Sequence, residues 1–277
     1  MNRDDLLKMY DFTGKTFAVT GGAGVLASGV VTLLASCGAN VMILDRNLAR
    51  LPEIQEAAGA DGSRIDGVQV DVMSRDSLEA ASAAIKARFG TLYGLVNAAG
   101  GNSPKATVSP TLNFFDIPED GMRFVLDLNI LGTVMPCQIL AKQMVEAGEG
   151  VILNYSSMNA YRPLTNIAAY SAAKAAITNF TSWLAVHLAQ SYSGKIRVNA
   201  IAPGFFLTDQ NRFLLTDKET GAWTARGQKI FDHTPMGRLG TDDDTMGCVL
   251  WLLSDAAAFV TGITVPVDGG FSAYAGV

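Results

Sequence analysis

The sequence has few charged residues: they make up 17% of its 277 residues, against about 25% in a typical soluble domain. Apolar residues reach 49%, which excludes a disordered chain, because disordered chains combine few apolar residues with high charge. A chain of this composition can bury a large core. The low charge also indicates that less of the surface faces water than in a monomer of this length.

Basic residues are too few and too dispersed for a nucleic-acid-binding protein. The formal net charge is −5 and the isoelectric point is near 5.0, and no cluster of Lys and Arg stands out. No apolar run approaches the roughly 20 residues that cross a bilayer. Residues Met1 to Tyr10 are charged and polar and lack the apolar core of a signal peptide. We therefore expect no nucleic-acid partner and no membrane association.

Cysteine and histidine are also scarce. The three cysteines, Cys37, Cys137 and Cys248, lie far apart in the chain and are predicted to be buried free thiols, which fits a reducing cytoplasm. No group of His, Cys, Asp and Glu has the spacing of metal ligands, so we predict no catalytic metal.

Short apolar runs alternate with helix-like segments along the whole chain. The runs are continuously apolar, which is typical of strands covered on both faces, and the alternation predicts a doubly wound parallel sheet with helices on both faces. No repeat or linker divides the chain, so we predict one α/β Rossmann domain over residues 1–277. The predicted strands are Thr16–Thr20, Asn40–Leu44, Gly67–Val72, Leu92–Asn97, Gly150–Tyr155, Lys195–Ile201 and Thr261–Val267. The predicted helices are Gly29–Ser36, Ser74–Phe89, Gly121–Ala147, Ala169–Tyr192 and Asp242–Leu253.

A glycine-rich turn from Thr20 to Ala27 follows the first predicted strand and opens a helix. Glycines here allow a sharp turn and a close approach of a pyrophosphate to the helix N-terminus, although many strand-to-helix turns contain glycine for geometry alone. Asp45 ends the second strand, 21 residues after Gly24, where a carboxylate can bind an adenosine ribose or simply be solvated. A carboxylate there repels the 2′-phosphate of NADP and favours NAD. The adjacent Arg46 could instead pair with that phosphate, so NADP stays open.

Tyr170 and Lys174 are four residues apart near the start of a long predicted helix, so their side chains share one face. A tyrosine with a pKa near 10 is a poor acid–base catalyst at neutral pH, and a neighbouring ammonium is expected to lower that pKa. Such a pair by itself is more often a surface feature of a helix. Ser157, 13 residues before Tyr170 and just after a predicted strand, favours catalysis.

In these features the sequence resembles the short-chain dehydrogenase/reductase family over nearly its whole length. The matching positions are the glycine turn, Asp45, Asp71-Val72, Asn97-Ala-Ala-Gly100, Asn129, Ser157, Tyr170, Lys174 and Pro203-Gly-Phe-Phe-Leu-Thr208. The resemblance implies an NAD(P)-dependent oxidoreductase that moves a hydride between nicotinamide and a carbonyl carbon. It also implies assembly as tetramers, or sometimes dimers, through long helices and C-terminal ends, and we predict a homotetramer.

The resemblance assigns a role to each matching position. Tyr170 is the general acid/base, Lys174 holds the nicotinamide ribose, Ser157 orients the substrate oxygen, and Asn129 supports a proton-relay water. Asp71 and Val72 contact adenine, Asn97 supports the central sheet, and Thr208 bonds the carboxamide region. The remaining predicted cofactor contacts are Gly21, Gly24, Val25, Leu26, Asp45, Arg46, Ala98, Ala99, Pro203 and Gly204.

The glycine turn departs from the commonest family pattern, because Val25 and Ala27 stand where its second and third glycines usually lie. Gly24 gives a Gly-x-x-Gly-x-x-Ala spacing instead, and Ala27 is small enough for helix-to-strand packing. We expect the cofactor to bind with a slightly different approach of its pyrophosphate.

Three segments resemble the D-mannonate oxidoreductase (fructuronate reductase) branch of the family: residues 101–107, 157–164 and 233–238. A sugar acid needs counter-charges and hydroxyl partners. Lys105 and Arg162 are candidates for the former, and Asn102, Ser157 and Asn159 for contacts with the oxygens. The alternatives are that Lys105 is a solvated loop residue and that Arg162 pairs with a structural acid. Residues 205–240 are predicted to cover the substrate, and His233 within them is a further, weaker candidate for contact.

Two other functions fit the sequence. The same chemistry could act on another polyol, a deoxysugar acid or a hydrophobic carbonyl compound. Alternatively, the chain could be a nucleotide-sensing regulator without catalysis. The presence of Asn129, Ser157, Tyr170 and Lys174 disfavours a sensor, because binding alone needs no acid–base pair.

Overall fold

The computed structural model describes residues 1–207, 215–217 and 220–276. A seven-stranded parallel sheet has the strand order β3-β2-β1-β4-β5-β6-β7. The strands are β1 Thr16–Thr20, β2 Asn40–Asp45, β3 Ile65–Gln69, β4 Leu92–Asn97, β5 Gly150–Tyr155, β6 Ile196–Pro203 and β7 Thr264–Val267. The described helices are α1 Arg3–Lys8, α2 Val25–Ser36, α3 Leu51–Ala57, α4 Arg75–Phe89, α5 Glu119–Ala147, α6 Ala168–Ser191, α7 Ala225–Asp232 and α8 Asp243–Leu253.

Helices cover both faces of the sheet, so the prediction of a doubly wound α/β Rossmann fold is confirmed. On one face, α2, α3 and α8 pack side chains such as Val31, Ile54 and Leu252 against the strands. On the other face, α4, α5 and α6 contribute Leu78, Leu140 and other buried side chains. All five residues of β1 and all six of β5 are buried, as expected for strands that read as continuous apolar runs.

Among the described residues, the structure contains three helices that were not predicted, α1, α3 and α7, and it places β3 at Ile65–Gln69 and not at Gly67–Val72. The strand is in register with β2, which ends at Asp45 opposite Gln69. Beyond it the chain turns, because the backbone N–H of Asp71 bonds the Ser77 hydroxyl and the Asp71 carboxylate accepts the N–H of Met73. The apolar residues on either side of Asp71 are buried but no longer part of the sheet.

Helix α5 has the length of a membrane-spanning segment, with a mean hydropathy of 1.6 over its most apolar window. Half of that window is buried, because α5 packs against α4, α6 and the strands β4 and β5. Burial of this kind also makes a core helix apolar, so the composition of α5 is accounted for by its place in the fold.

Candidate functional site

A cleft of about 660 Å³ opens at the carboxyl ends of the strands, where the strand order reverses between β1 and β4. Such a reversal separates the loops that follow the two strands, and ligands of open α/β sheets bind in the resulting crevice. Predicted site residues from four strand ends and two helices line it. They are Gly21, Gly24, Val25, Leu26, Ala98, Asn102, Ser157, Tyr170, Lys174, Pro203 and Gly204.

The glycine turn forms one wall of the cleft. Gly21 has a φ of +65°, and a Cβ added there would lie 2.9 Å from the Cα of Ala99, so the turn can pass β4 only without a side chain. Gly24 is the N-cap of α2, and no side chain caps that helix. The first turn of α2 therefore presents backbone N–H groups at a wall of the cleft, which is the usual arrangement for an anion site.

Asp45 is held at the edge of the sheet by the glycine turn itself. Its carboxylate accepts the backbone N–H of Ala23 at 3.2 Å and that of Asn47 at 3.1 Å. Arg46 is exposed. Arg50, which the sequence did not single out, donates to the carbonyl of Ala23 at 2.8 Å and thereby braces the same turn.

Some of the other residues predicted to contact the cofactor are packed inside the protein, and others form turns. Asn97 is buried and donates to Asn154 at 2.9 Å, linking β4 to β5. The N–H of Ala99 bonds the Thr20 hydroxyl at 3.2 Å. Val72 is buried beside Gly132, and Asp71 shapes the turn after β3. Thr208 lies outside the described residues.

Ser157, Tyr170 and Lys174 all line the cleft, and both the Ser157 hydroxyl and the Lys174 ammonium lie close to Tyr170. The Lys174 ammonium is buried and donates to the carbonyl of Tyr155 at 2.8 Å. It also lies 5.4 Å from the centre of the Tyr170 ring. This arrangement places a phenol, a hydroxyl and an ammonium together, which suits proton transfer to or from an oxygen atom.

The pKa of Tyr170 is raised, contrary to the expectation that Lys174 lowers it. Burial of the phenol disfavours the charged phenolate, and the nearby Ser157 hydroxyl only partly offsets this effect. Burial also lowers the pKa of Lys174 to about 8, so the lysine is still mostly charged at pH 7 and loses its proton as the pH rises through about 8. Tyr170 is therefore protonated at neutral pH and set up to donate a proton.

Asn129 is fully buried and holds the loop after β4. Its Oδ1 accepts the N–H of Gly101 at 3.2 Å, and its Nδ2 donates to the carbonyl of Gly101 at 2.7 Å. A Cβ added to Gly100 would lie 2.7 Å from Asn129 Oδ1 and 3.4 Å from Lys174 Nζ. The floor of the cleft is therefore backbone, with Asn129 and Lys174 both facing Gly100.

Of the five residues predicted to bind substrate, Asn102 and Ser157 line the cleft, and Lys105, Asn159 and Arg162 do not. Asn102 lines the cleft but donates to Thr107, and Lys105 is exposed and lies 3.5 Å from Asp120. Arg162 is also exposed and donates to the carbonyl of Ser272 at 3.0 Å. The Asn159 side chain is buried, and its Oδ1 and Nδ2 bond neighbouring protein groups. Lys105, Arg162 and Asn159 lie outside the lining of the cleft and bond other protein groups.

A second cavity, of about 350 Å³, lies between the segment before α6 and helix α7. Arg226 and Lys229 of α7 line it, facing Leu164 and Ile167, and both cations are exposed, with no ion-pair partner in the described part of the chain. The sequence did not mark them as site residues. Their spacing of three on a short helix that begins after Thr224 was the available signal.

Three further features concern metal ligands, thiols and His233. Among the residues that the structure describes, no group of three His, Cys, Asp or Glu could hold a metal ion. All three cysteines are free; Cys137 is buried and the other two are partly buried. The ring of His233 packs against Phe271 and Tyr274, with centroids 4.7 and 5.0 Å away.

Comparison with known proteins identifies the family. A family model described as Enoyl-(Acyl carrier protein) reductase matches residues 21–272. An uncharacterized oxidoreductase of Bacillus subtilis (strain 168), UxuB, is 44% identical over 96% of this chain and 98% of its own length. The NAD-dependent glycerol dehydrogenase of Listeria innocua is 31% identical over 96% of each chain.

A solved structure agrees with these relatives. It shows a protein from Haemophilus influenza, provisionally assigned as a D-mannonate oxidoreductase, with bound NAD. It is 42% identical to this chain, covers 98% of this chain and 100% of its own, and superposes with a TM-score of 0.90. The chain belongs to the short-chain dehydrogenase/reductase family. It is an oxidoreductase of that family, as the sequence predicted.

The buried Lys174 of this dehydrogenase/reductase makes stability depend on pH. A lysine whose pKa falls from 10.5 to about 8 destabilises the folded state at pH 7 by on the order of 3 kcal/mol. This cost disappears as pH rises from about 8 towards 10.5, because the unfolded lysine then releases its proton too. We expect the urea unfolding free energy of the wild type, minus that of Lys174→Met, to rise over this range. A flat difference between pH 7 and 10 would show that Lys174 titrates normally in the folded protein.

Proposed function

We propose that this enzyme uses NAD to interconvert a secondary alcohol and a ketone in a sugar acid of the D-mannonate/D-fructuronate type. The observation that carries the proposal is the convergence of Ser157, Tyr170 and Lys174 at one end of a cleft whose other wall is a glycine turn. The similarity to an NAD-bound structure provisionally assigned to D-mannonate supports both the cofactor and the substrate class.

The cleft fits a nicotinamide dinucleotide. Gly21 and Gly24 leave room for a pyrophosphate to approach the backbone, and the uncapped start of α2 offers N–H groups to it. The Asp45 carboxylate, held at the end of β2, suits a ribose diol and disfavours a 2′-phosphate. The bound nicotinamide would supply or accept the hydride. Lys174 is assigned to the nicotinamide ribose, and Asp71, Val72 and Thr208 keep the cofactor contacts that the resemblance implies.

Proton transfer is assigned to Tyr170. In carbonyl reduction its hydroxyl donates to the substrate oxygen, and its raised pKa keeps that proton available at neutral pH. In alcohol oxidation the same group must first lose its proton, so oxidation should speed up as pH rises. Ser157 donates a hydrogen bond to the substrate oxygen. Asn129 is proposed to support a relay water beside Lys174, since both side chains face Gly100.

Replacing Tyr170 with Phe should greatly slow turnover without loss of cofactor binding. Removing an acid–base group costs typically about 10² to 10⁴ in rate, whereas the ring and its packing remain. We expect kcat/KM for D-fructuronate with NADH to fall by that factor, with NADH binding by fluorescence nearly unchanged. Wild-type activity with NADPH should be lower than with NADH.

The same assay tests the substrate class. Neutral ketones and polyols serve as the control compounds. A wild-type protein that reduced a neutral ketone but not D-fructuronate would contradict the sugar-acid proposal and favour the polyol or hydrophobic carbonyl alternative. Full turnover by Tyr170→Phe would contradict the assigned chemistry.

We infer that Arg226 and Lys229 attract the carboxylate of the sugar acid. They line a cavity whose opposite wall, at Ile167, lies three residues before Tyr170. Both also belong to residues 205–240, which the sequence predicts to cover the substrate and of which 208–214 and 218–219 lie outside the described residues. Helix α7 packs on this side through Ile230, which joins Met158 and Leu164 in one apolar cluster. This assignment replaces Lys105 and Arg162 as the counter-charges, because those two are held by other partners.

Neutralising this pair should weaken binding of charged substrates only. We expect Arg226→Ala/Lys229→Ala to raise the KM for the sugar acid by about tenfold, as the loss of charge-assisted bonds predicts. The KM of a neutral ketone should not change. Lys86→Ala, which removes an exposed cation on α4, is the matched control. An equal rise in KM for neutral and charged compounds would contradict the assignment.

We also propose a cytoplasmic homotetramer. Apolar side chains are exposed on α5 and α6, including Leu131, Trp183 and Val186, and Trp183 is 58% exposed while stacked on His187 at 4.9 Å. A groove of about 540 Å³ runs between these two helices. Apolar surface of this kind marks contact with another protein surface, and a second copy explains the low charge of the chain.

A charge in this groove should dissociate the oligomer. Light scattering at micromolar concentration should give a tetramer for the wild type and a smaller species for Trp183→Glu, because an unpaired carboxylate is costly to bury. The charge-reversal control Lys86→Glu, on α4, should leave the mass unchanged. A wild-type monomer under these conditions would contradict the proposal.

A further inference from the structure

The side chain of Asn159 is linked directly to Ser157, two residues earlier. Its Nδ2 donates to Ser157 Oγ at 3.1 Å, and its backbone N–H donates to the same atom at 3.2 Å. Only 7% of Asn159 is exposed, and it does not line the cleft. The predicted contact of Asn159 with substrate is therefore replaced by its hydrogen bonds to Ser157.

The orientation of the Asn159 amide is fixed by a third group. Its Oδ1 accepts the backbone N–H of Leu164 at 3.1 Å, and a backbone N–H can only donate. The oxygen must therefore face Leu164, and the NH₂ group must face Ser157. The hydroxyl of Ser171 also bonds Oδ1, at 3.2 Å, from the first turn of α6 beside Tyr170.

These bonds determine what the Ser157 hydroxyl can do. A serine hydroxyl has one proton to donate and two lone pairs to accept with. Both donors from Asn159 occupy the accepting side, so the proton of Ser157 must point to another partner. Ser157 and Tyr170 both line the cleft, and the Ser157 hydroxyl is close enough to act on Tyr170, so Tyr170 and the cleft offer that partner.

We propose that Asn159 is a positioning residue that fixes the Ser157 hydroxyl as a hydrogen-bond donor towards the substrate oxygen. The inference rests on the proposed function, in which Ser157 bonds the oxygen that gains or loses a proton. A serine without this constraint would rotate and could accept a hydrogen bond from Tyr170 instead. Asn159 thereby makes both hydroxyls in the cleft donors to one atom during carbonyl reduction.

Asn159→Asp is the sharpest test. The carboxylate is the same size and keeps an acceptor for Leu164 and Ser171, but it replaces the donor facing Ser157 with an acceptor. The Ser157 proton should then turn towards the new carboxylate and away from the substrate. We expect kcat to fall by about 10²-fold, the loss typical of removing one donor at a developing charge, with KM changed far less.

A double-mutant cycle separates positioning from a merely structural role. In a Ser157→Ala background, Asn159→Asp should cause no further loss of kcat, because the group through which it acts is gone. Ser171→Ala removes the other side-chain bond to Asn159 and leaves both donors on Ser157, so it should lower kcat less than about threefold. Equal losses from Asn159→Asp with and without Ser157 would overturn the inference.

A readout without turnover keeps this test distinct from that of the proposed function. If Asn159 bonds Ser157, the urea midpoints of Asn159→Ala, Ser157→Ala and the double variant should be non-additive, the double variant losing less than the sum. If the wild type turned over no alcohol or ketone, the proposed function would fail. The urea cycle would still show whether Asn159 and Ser157 interact in the folded protein. Additive midpoints would overturn the inference by themselves.

Discussion

The site depends on the hydrogen bonds that fasten α6 to the end of β5. Lys174 donates to the carbonyl of Tyr155, the Ser156 hydroxyl donates to the carbonyl of Lys174, and Asn154 donates to Thr181. These are buried polar bonds between a helix and a strand that otherwise meet through apolar side chains. Buried donors and acceptors are costly when unpaired, so the helix has one favourable register along the strand. That register brings Tyr170 to the loop that carries Ser157.

The same hydrogen bonds explain why Lys174 combines two conflicting properties. Its ammonium has a carbonyl partner, which favours the charged form, yet burial lowers its pKa to about 8. The lysine thus keeps most of its charge at neutral pH, and holding that charge in a buried position lowers the stability of the folded protein. Burial shifts the pKa of Tyr170 in the opposite direction, upwards, because the neutral form of a phenol is the protonated one.

Much of the fold could be predicted because its signals are local or repeated. Continuous apolar strands alternating with helices predicted the doubly wound sheet, and the helix predicted over Ser74–Phe89 is α4, with Ser74 as its N-cap. The predicted end of β3 was wrong. The apolar residues beside Asp71 are typical of a strand, but the chain turns there because the backbone N–H of Asp71 bonds the Ser77 hydroxyl. The predicted position of Ser157, Tyr170 and Lys174 in one cleft follows from spacing along strand and helix. The substrate contacts could not be predicted in this way, because the residue types of Lys105, Arg162 and Asn159 do not reveal which protein groups they bond; the partner of Arg162, for example, is 110 residues away.

The pairing of Asn129 with Gly101 means that strand-like hydrogen bonding is found beyond the end of β4. Its amide accepts the N–H and donates to the carbonyl of the same residue, as the backbone of a neighbouring strand would. The Asn129 side chain, from helix α5, thus bonds the chain after β4 in the way that a neighbouring strand bonds a strand. These two bonds fix the backbone of Gly101 at the floor of the cleft. We therefore expect the sequence and length of the loop after β4 to vary among relatives only beyond Gly101, the last residue whose backbone Asn129 bonds.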